Sequence, residues 1–238
     1  MEQLPEINTQ ELLQELLSDQ LSELELTWFN LKIKSLEKDE LLRQFIPLFS
    51  LIPRFIKAGK VEFSDHTLEL LELSYPGFSS SDWNLQELCR IMLMVSLDPA
   101  ENEKVLKKLF EAADINELRI LYKALYFLDN AADFTDRLVE GVRTNMTDVL
   151  DAIVANNPFP ARYLSEDAWN QMVMKAVFTG RPLFSIYGID RRANEKLAKI
   201  LHGYIQERKS AGRTVSPEVW RLLHPFMTEE MAQTLKEF

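Results

Sequence analysis

One cysteine, seven glycines and three histidines in 238 residues set the first limits. Cys89 has no second cysteine to bridge, and with only His66, His202 and His224 beside it no Cys/His zinc site is expected. An unbridged chain fits a reducing compartment. So little glycine argues against a turn-rich β fold and against a glycine-built phosphate loop, because both need positive φ at many positions. No uncharged run exceeds ten residues, as between Arg43 and Arg54, whereas a membrane-spanning helix needs about 20 apolar residues. The first residues, MEQLPEINTQELLQELL, lack the basic and apolar regions of a secretory signal. A soluble, cytoplasmic, non-spanning protein is the expectation.

Positive charge is scarce as well. The net charge is −10, and residues 158 to 238 hold 12 Lys and Arg against 9 Asp and Glu, which leaves the deficit to the first two thirds. An acidic body of this kind repels phosphate backbones, so no nucleic-acid partner is expected. The more basic last third suits a small anion.

What the chain has in quantity is helical periodicity. Leu118, Leu121, Tyr122, Leu125 and Leu128 form one stripe, Val105, Leu106, Leu109 and Phe110 a second, and Leu197, Ile200, Leu201, Tyr204 and Ile205 a third. Starts are marked by Asp98-Pro99, by Asp114 with Glu117, by Ser216-Pro217 and by Thr228 with Glu229 and Glu230. Gly212 fits the stop of the long helix begun near Asn194. Residues 8 to 57 predict two or three helices, with Pro47 and Pro53 kinking or ending the third. Residues 81 to 155 read as antiparallel helices joined by tight turns. The expected fold is all-α: antiparallel helical hairpins forming either a short HEAT-like solenoid or an irregular bundle. Residues 1–238 are expected to be a single domain, with "YPGFSSSDW" as a candidate seam near 75–82.

No GxGxxG, GxxxxGK[ST], GxSxG, HExxH or paired CxxC occurs. Catalytic residues, metal ligands and cofactors are therefore not assigned. His202 and His224 read as structural or capping, Cys89 as a small core residue, and the acidic clusters as solvated helix faces. In "EGVRTNMTDVLDAI" the polar residues suit a helix break at Asn145 with Asp148 in the next first turn, and a contact of Arg143 with Asp148 or Asp151 would be a bracing one.

Candidate binding residues come from the stretch around 157–192. Trp169, Met172, Val173, Ala176 and Val177 form a wide apolar arc that Met174 and Phe178 extend, so the helix should be largely buried. Asp167, Gln171 and Lys175 share one polar stripe, with Asn170 at its margin. They either pair at i, i+4 along a partly exposed edge or line a cleft. Asn157 stands at the turn that ends the preceding helix. Asp190, Arg191 and Arg192 arrive near the start of the following helix, where the dipole already favours anions; a ligand or a carboxylate would relieve that conflict. Asn157, Asn170, Gln171, Lys175, Arg191 and Arg192 are thus the candidate contacts for a ligand or partner.

The run "EGVRTNMTDVLDAIVANNPFPARYLSEDAWNQMVMKAVFTGRPLFSIYGIDRRANEKLAKIL", with "GRTVSPEVWRLLHPF" after it, resembles the EboA family over residues 140 to 226. That family is the first member of a bacterial gene cluster associated with moving secondary-metabolite precursors out of the cytoplasm. Many members read Pro-Tyr-Pro followed by Ala-Glu-Tyr where this chain has Phe159 and Arg162, so neither a phenol at 159 nor a carboxylate at 162 is essential here. The resemblance implies a cytoplasmic accessory to metabolite processing and traffic. Its partners would be proteins of the same cluster, with a UbiA-like membrane prenyltransferase as one candidate, and a small anionic metabolite as a candidate ligand. It transfers no catalytic residue. The leading expectation is a non-enzymatic binding or scaffold protein. The alternatives are an uncharacterised hydrolase or transferase acting on a small anionic metabolite, and an interaction module with an acidic helical face.

Overall fold

The computed structural model describes residues 8–236. Fourteen α-helices and no strand occur among the described residues, so the protein is all-α. The chain groups into two compact units, Met1–Phe159 and Pro160–Phe238. The first contains α1 (Thr9–Gln20), α2 (Glu23–Lys34), α3 (Leu41–Phe55), α4 (Asp65–Ser74), α5 (Leu85–Val95), α6 (Pro99–Ala112), α7 (Ile115–Ala124), α8 (Thr135–Val142) and α9 (Thr147–Val154). The division falls inside α10 (Pro158–Tyr163). The second unit holds α11 (Glu166–Phe178), α12 (Glu195–Ser210), α13 (Pro217–Leu223) and α14 (Glu229–Lys236).

The starts follow the local chemistry of the sequence. Asp98 caps α6 with Pro99 behind it, Asp114 and Glu117 complete a reciprocal capping box on α7, and Ser216 caps α13. Gly212, at φ 65°, closes α12: its N–H donates to the Lys209 carbonyl and that of Arg213 to the Arg208 carbonyl, the paired bonds of a Schellman stop. The expected break near Asn145 is present, since α8 ends at Val142 and α9 starts at Thr147 with Asp148 in its first turn.

Within the first unit α1, α5, α7 and α9 pack in succession on one another, and α3 meets α5 and α6. α5 lies at the centre: nine of its eleven residues are buried, including Glu87 and Arg90. The segment 75–82 lies inside this unit, where Tyr75 and Phe78 are fully buried and form an aromatic cluster with Trp83 and Phe127. Its irregular backbone surrounds packed rings. Cys89 is buried in the core, as expected, and desolvation pushes its thiol pKa upward.

Pro47 and Pro53 do not end α3, which runs through both to Phe55. Burial of Phe45, Leu48, Phe49 and Ile52 holds the helix together across them. Pro53 nevertheless supplies no N–H for the Phe49 carbonyl four residues earlier. Arg90 of α5 replaces that donor: its Nε lies 3.2 Å from the Phe49 oxygen and its guanidinium sits 5.0 Å from the Phe49 ring centroid.

Candidate functional site

Asn157 belongs to the first unit and is 2% exposed. Its amide N–H groups donate to the carbonyls of Ala152 (3.0 Å) and Tyr122 (3.3 Å), and its Oδ1 accepts from the Phe159 N–H at 3.0 Å. The side chain therefore closes the end of α9, ties the turn to α7 and starts α10. Both its donors are committed.

In the second unit the two arginines part company. α12 begins at Glu195 with Asn194 as its cap, so Arg191 and Arg192 precede the helix within a turn. Arg192 donates to the carbonyls of Pro160 (3.0 Å), Ala161 (3.2 Å) and Leu164 (2.8 Å), the negative end of α10, and its guanidinium lies 4.6 Å from the Trp169 ring centroid. The conflict expected at the start of α12 is thus absent, because the charge serves the end of another helix. Burial holds the Arg192 pKa below its ordinary value. Arg191 is exposed, 5.4 Å from the Tyr187 ring centroid, and Asp190 pairs with Arg221 of α13.

Asn170, 2% exposed, exchanges hydrogen bonds with Asn194: Asn170 Nδ2 to Asn194 Oδ1 at 3.2 Å and the reverse at 2.9 Å. Asn194 Oδ1 also accepts from the Leu197 N–H at 2.9 Å. The buried amide on α11 thereby orients the residue that caps α12. Asp167 does not pair along its own helix; its carboxylate meets Lys196 of α12 at 2.8 Å, and that hydrogen bond raises the lysine pKa.

Two contacts give the relation of α11 to α12. Asp167 at the start of α11 meets Lys196 at the start of α12, and Phe178 at its end meets Tyr204 edge to face with centroids 5.2 Å apart. The helices run in the same sense, because residues 179–194 carry the chain back along α11. Between them opens a groove of about 620 Å³ lined by Asp167, Asn170, Gln171, Met174, Phe178, Lys196, Ile200, Tyr204 and Glu207. Phe178 is 65% exposed and Ile200 44%. Charged groups stand at the ends, Asp167 with Lys196 at one and Glu207 at the other, and the middle is apolar.

Of the residues singled out in the sequence, Asn170 and Gln171 line this groove. Lys175 is half-buried, with burial lowering its pKa, and is not part of the lining. Arg191 and Arg192 are not part of it either. The groove's apolar residues carried a signal that periodicity alone blurred: Met174 with Phe178 and Ile200 with Tyr204 are i, i+4 pairs within apolar stripes whose exposure periodicity does not give.

Residues 9–224 match the family model described as metabolite traffic protein EboA. The chain belongs to the EboA family. No curated protein matches the chain, and neither does any solved structure. The EboA match runs from α1 into α13 and so takes in the groove, the Asn170–Asn194 pair and the Arg192 contacts. In this EboA member no group of three or more His, Cys, Asp or Glu among the described residues is placed to hold a metal ion, and none of the described helices is long and apolar enough to cross a membrane.

Proposed function

We propose that the chain is a non-enzymatic binding protein of metabolite processing and traffic, working in the cytoplasm with proteins of its own gene cluster, and that the α11–α12 groove is where it holds its ligand. One observation carries this reading: Phe178 and Ile200 stand exposed beside Met174 and Tyr204 along a groove whose volume suits a small molecule. The polarity of the groove refines the ligand class. Lys175, Arg191 and Arg192 do not converge on it, and its charged groups are two carboxylates and one lysine already paired. An apolar or aromatic compound with a hydroxyl or amino group to meet Gln171 or Glu207 fits better than a compact anion.

The test is native mass spectrometry of the chain purified from cells that carry the whole gene cluster. A bound small mass is expected on the wild type and should be absent from Phe178→Ala/Ile200→Ala. A mass retained by that variant would move the site elsewhere. An unliganded chain that co-purifies with a cluster protein would replace the carrier reading with a scaffold.

A further inference from the structure

α2 leaves an apolar face uncovered. It buries only Phe29, while Leu24 and Leu31 are 85% and 63% exposed. With Trp28 these leucines recur at i, i+4 and i+7, a single stripe along the helix. Trp28 stacks on Phe55 at the end of α3, with centroids 4.5 Å apart and planes 11° from parallel, and Phe55 is itself 48% exposed. Stripe and stacked rings make one continuous patch, which solvent alone does not explain.

The rim of the patch is basic in an acidic protein. Residues 32 to 60 carry seven Lys and Arg against three Asp and Glu, in a chain of net charge −10. Lys32 and Lys34 flank Leu31 on either side, at helical angles of about +100° and −60° from it. Arg54 adjoins Phe55, and Lys57 stands by the start of α2, where its N–H donates to Glu25 Oε1 at 2.8 Å. All four basic residues are exposed. Of the acids beside the patch, Glu25 is committed to Ser22 and to the Lys57 amide, which lowers its pKa, and Glu23 stands at the first turn. Lys38 and Arg43 are paired with Glu101 and Glu40.

We propose that this face docks on an anionic lipid bilayer. Leu24, Leu31, Trp28 and Phe55 enter the boundary between headgroups and acyl chains, while Lys32, Lys34, Arg54 and Lys57 meet lipid phosphates. The two signals reinforce each other, since shallow apolar burial and a basic rim are each weak alone. A second copy is disfavoured as the cover, because a two-fold pairing through this face would set the same lysines against one another.

The full chain is incubated with vesicles of phosphatidylcholine, alone or with about a third phosphatidylglycerol, and bound protein is measured by flotation. Wild type is expected to float with the anionic vesicles only and to be released by about 0.5 M NaCl. Leu24→Ser/Leu31→Ser should weaken binding about tenfold or more, and Lys32→Glu/Lys34→Glu should do the same. These positions are exposed, so thermal unfolding should be unchanged in both variants. Equal binding to the two vesicle types, or equal binding by the leucine variant and wild type, overturns the proposal. A dimer in sedimentation velocity that Leu24→Ser/Leu31→Ser makes monomeric overturns it as well, and assigns the face to a second copy.

Discussion

Arg192 and Gly141 show how much a single position can hold. Arg192 supplies three hydrogen bonds to the end of α10 and covers one face of Trp169, whose Nε1 is buried with no hydrogen-bond partner. Arg192→Ala should therefore cost about 2–4 kcal/mol, since it takes the guanidinium donors from the Ala161 and Leu164 carbonyls, while that of Pro160 keeps the Leu164 N–H, and exposes an indole face. Arg192→Lys should recover little of this, because an ammonium cannot span the three carbonyls as the guanidinium fork does. Urea unfolding of the three proteins checks both statements. Gly141 lies in α8, where alanine has the better intrinsic helix propensity. A Cβ there would meet the Tyr122 ring at 2.5 Å. Gly141→Ala should thus destabilise by about 1–3 kcal/mol, the opposite of the propensity ranking, and Gly141→Ala/Tyr122→Leu should recover part of the loss in the same assay.

Among the elements, α5 and α7 are joined by two ion pairs in the interior. Arg90 lies 3.7 Å from Glu117, and Lys123 lies 3.4 Å from Glu87 and 3.7 Å above the Trp83 ring. Removing one partner leaves a buried charge, so Lys123→Met should cost about 3–5 kcal/mol, whereas Glu87→Leu/Lys123→Met should return near to wild type or exceed it. Burial, opposed by Glu87, lowers the Lys123 pKa. The unfolded chain then holds this proton more tightly than the folded one. The burial penalty is present in full at neutral pH and is relieved as pH rises through the depressed value toward the ordinary lysine value of about 10.4. Wild type should gain on the double variant over that alkaline window. These pairs were not legible in the sequence, because Glu87 and Arg90 fall beside the stripe of Leu85, Leu88, Cys89 and Met92 and look like a solvated edge until α5 is found enclosed. Caps were legible because they depend on neighbours in sequence: Asp98, Asp114, Ser216 and Gly212 all stand where local chemistry puts them. The candidate site lay between these cases. Asn157, Asn170 and Arg192 could be singled out as polar residues in apolar surroundings, yet their partners are carbonyls and an amide up to 35 residues away.

At the scale of the whole chain, the boundary between the two units falls within α10, a helix, and no flexible linker stands there. Asn157 fixes the start of that helix from residues of the first unit, and Arg192 holds its end from residues of the second. A helix propagates cooperatively from turn to turn, so loss of either end should melt the segment that both units share. The single-domain organisation expected from the sequence can be tested on this helix. Thermal unfolding of the full chain should show one transition, with the calorimetric and van't Hoff enthalpies equal. Asn157→Ala, which strips three hydrogen bonds from a buried turn, and Arg192→Ala should lower the same midpoint, each without splitting the peak. Two resolved transitions, with Asn157→Ala shifting one and Arg192→Ala the other, would instead mean two independently folding domains. In that case the acidic unit with its exposed α2 face and the unit that carries the groove would be separable tools for locating the ligand.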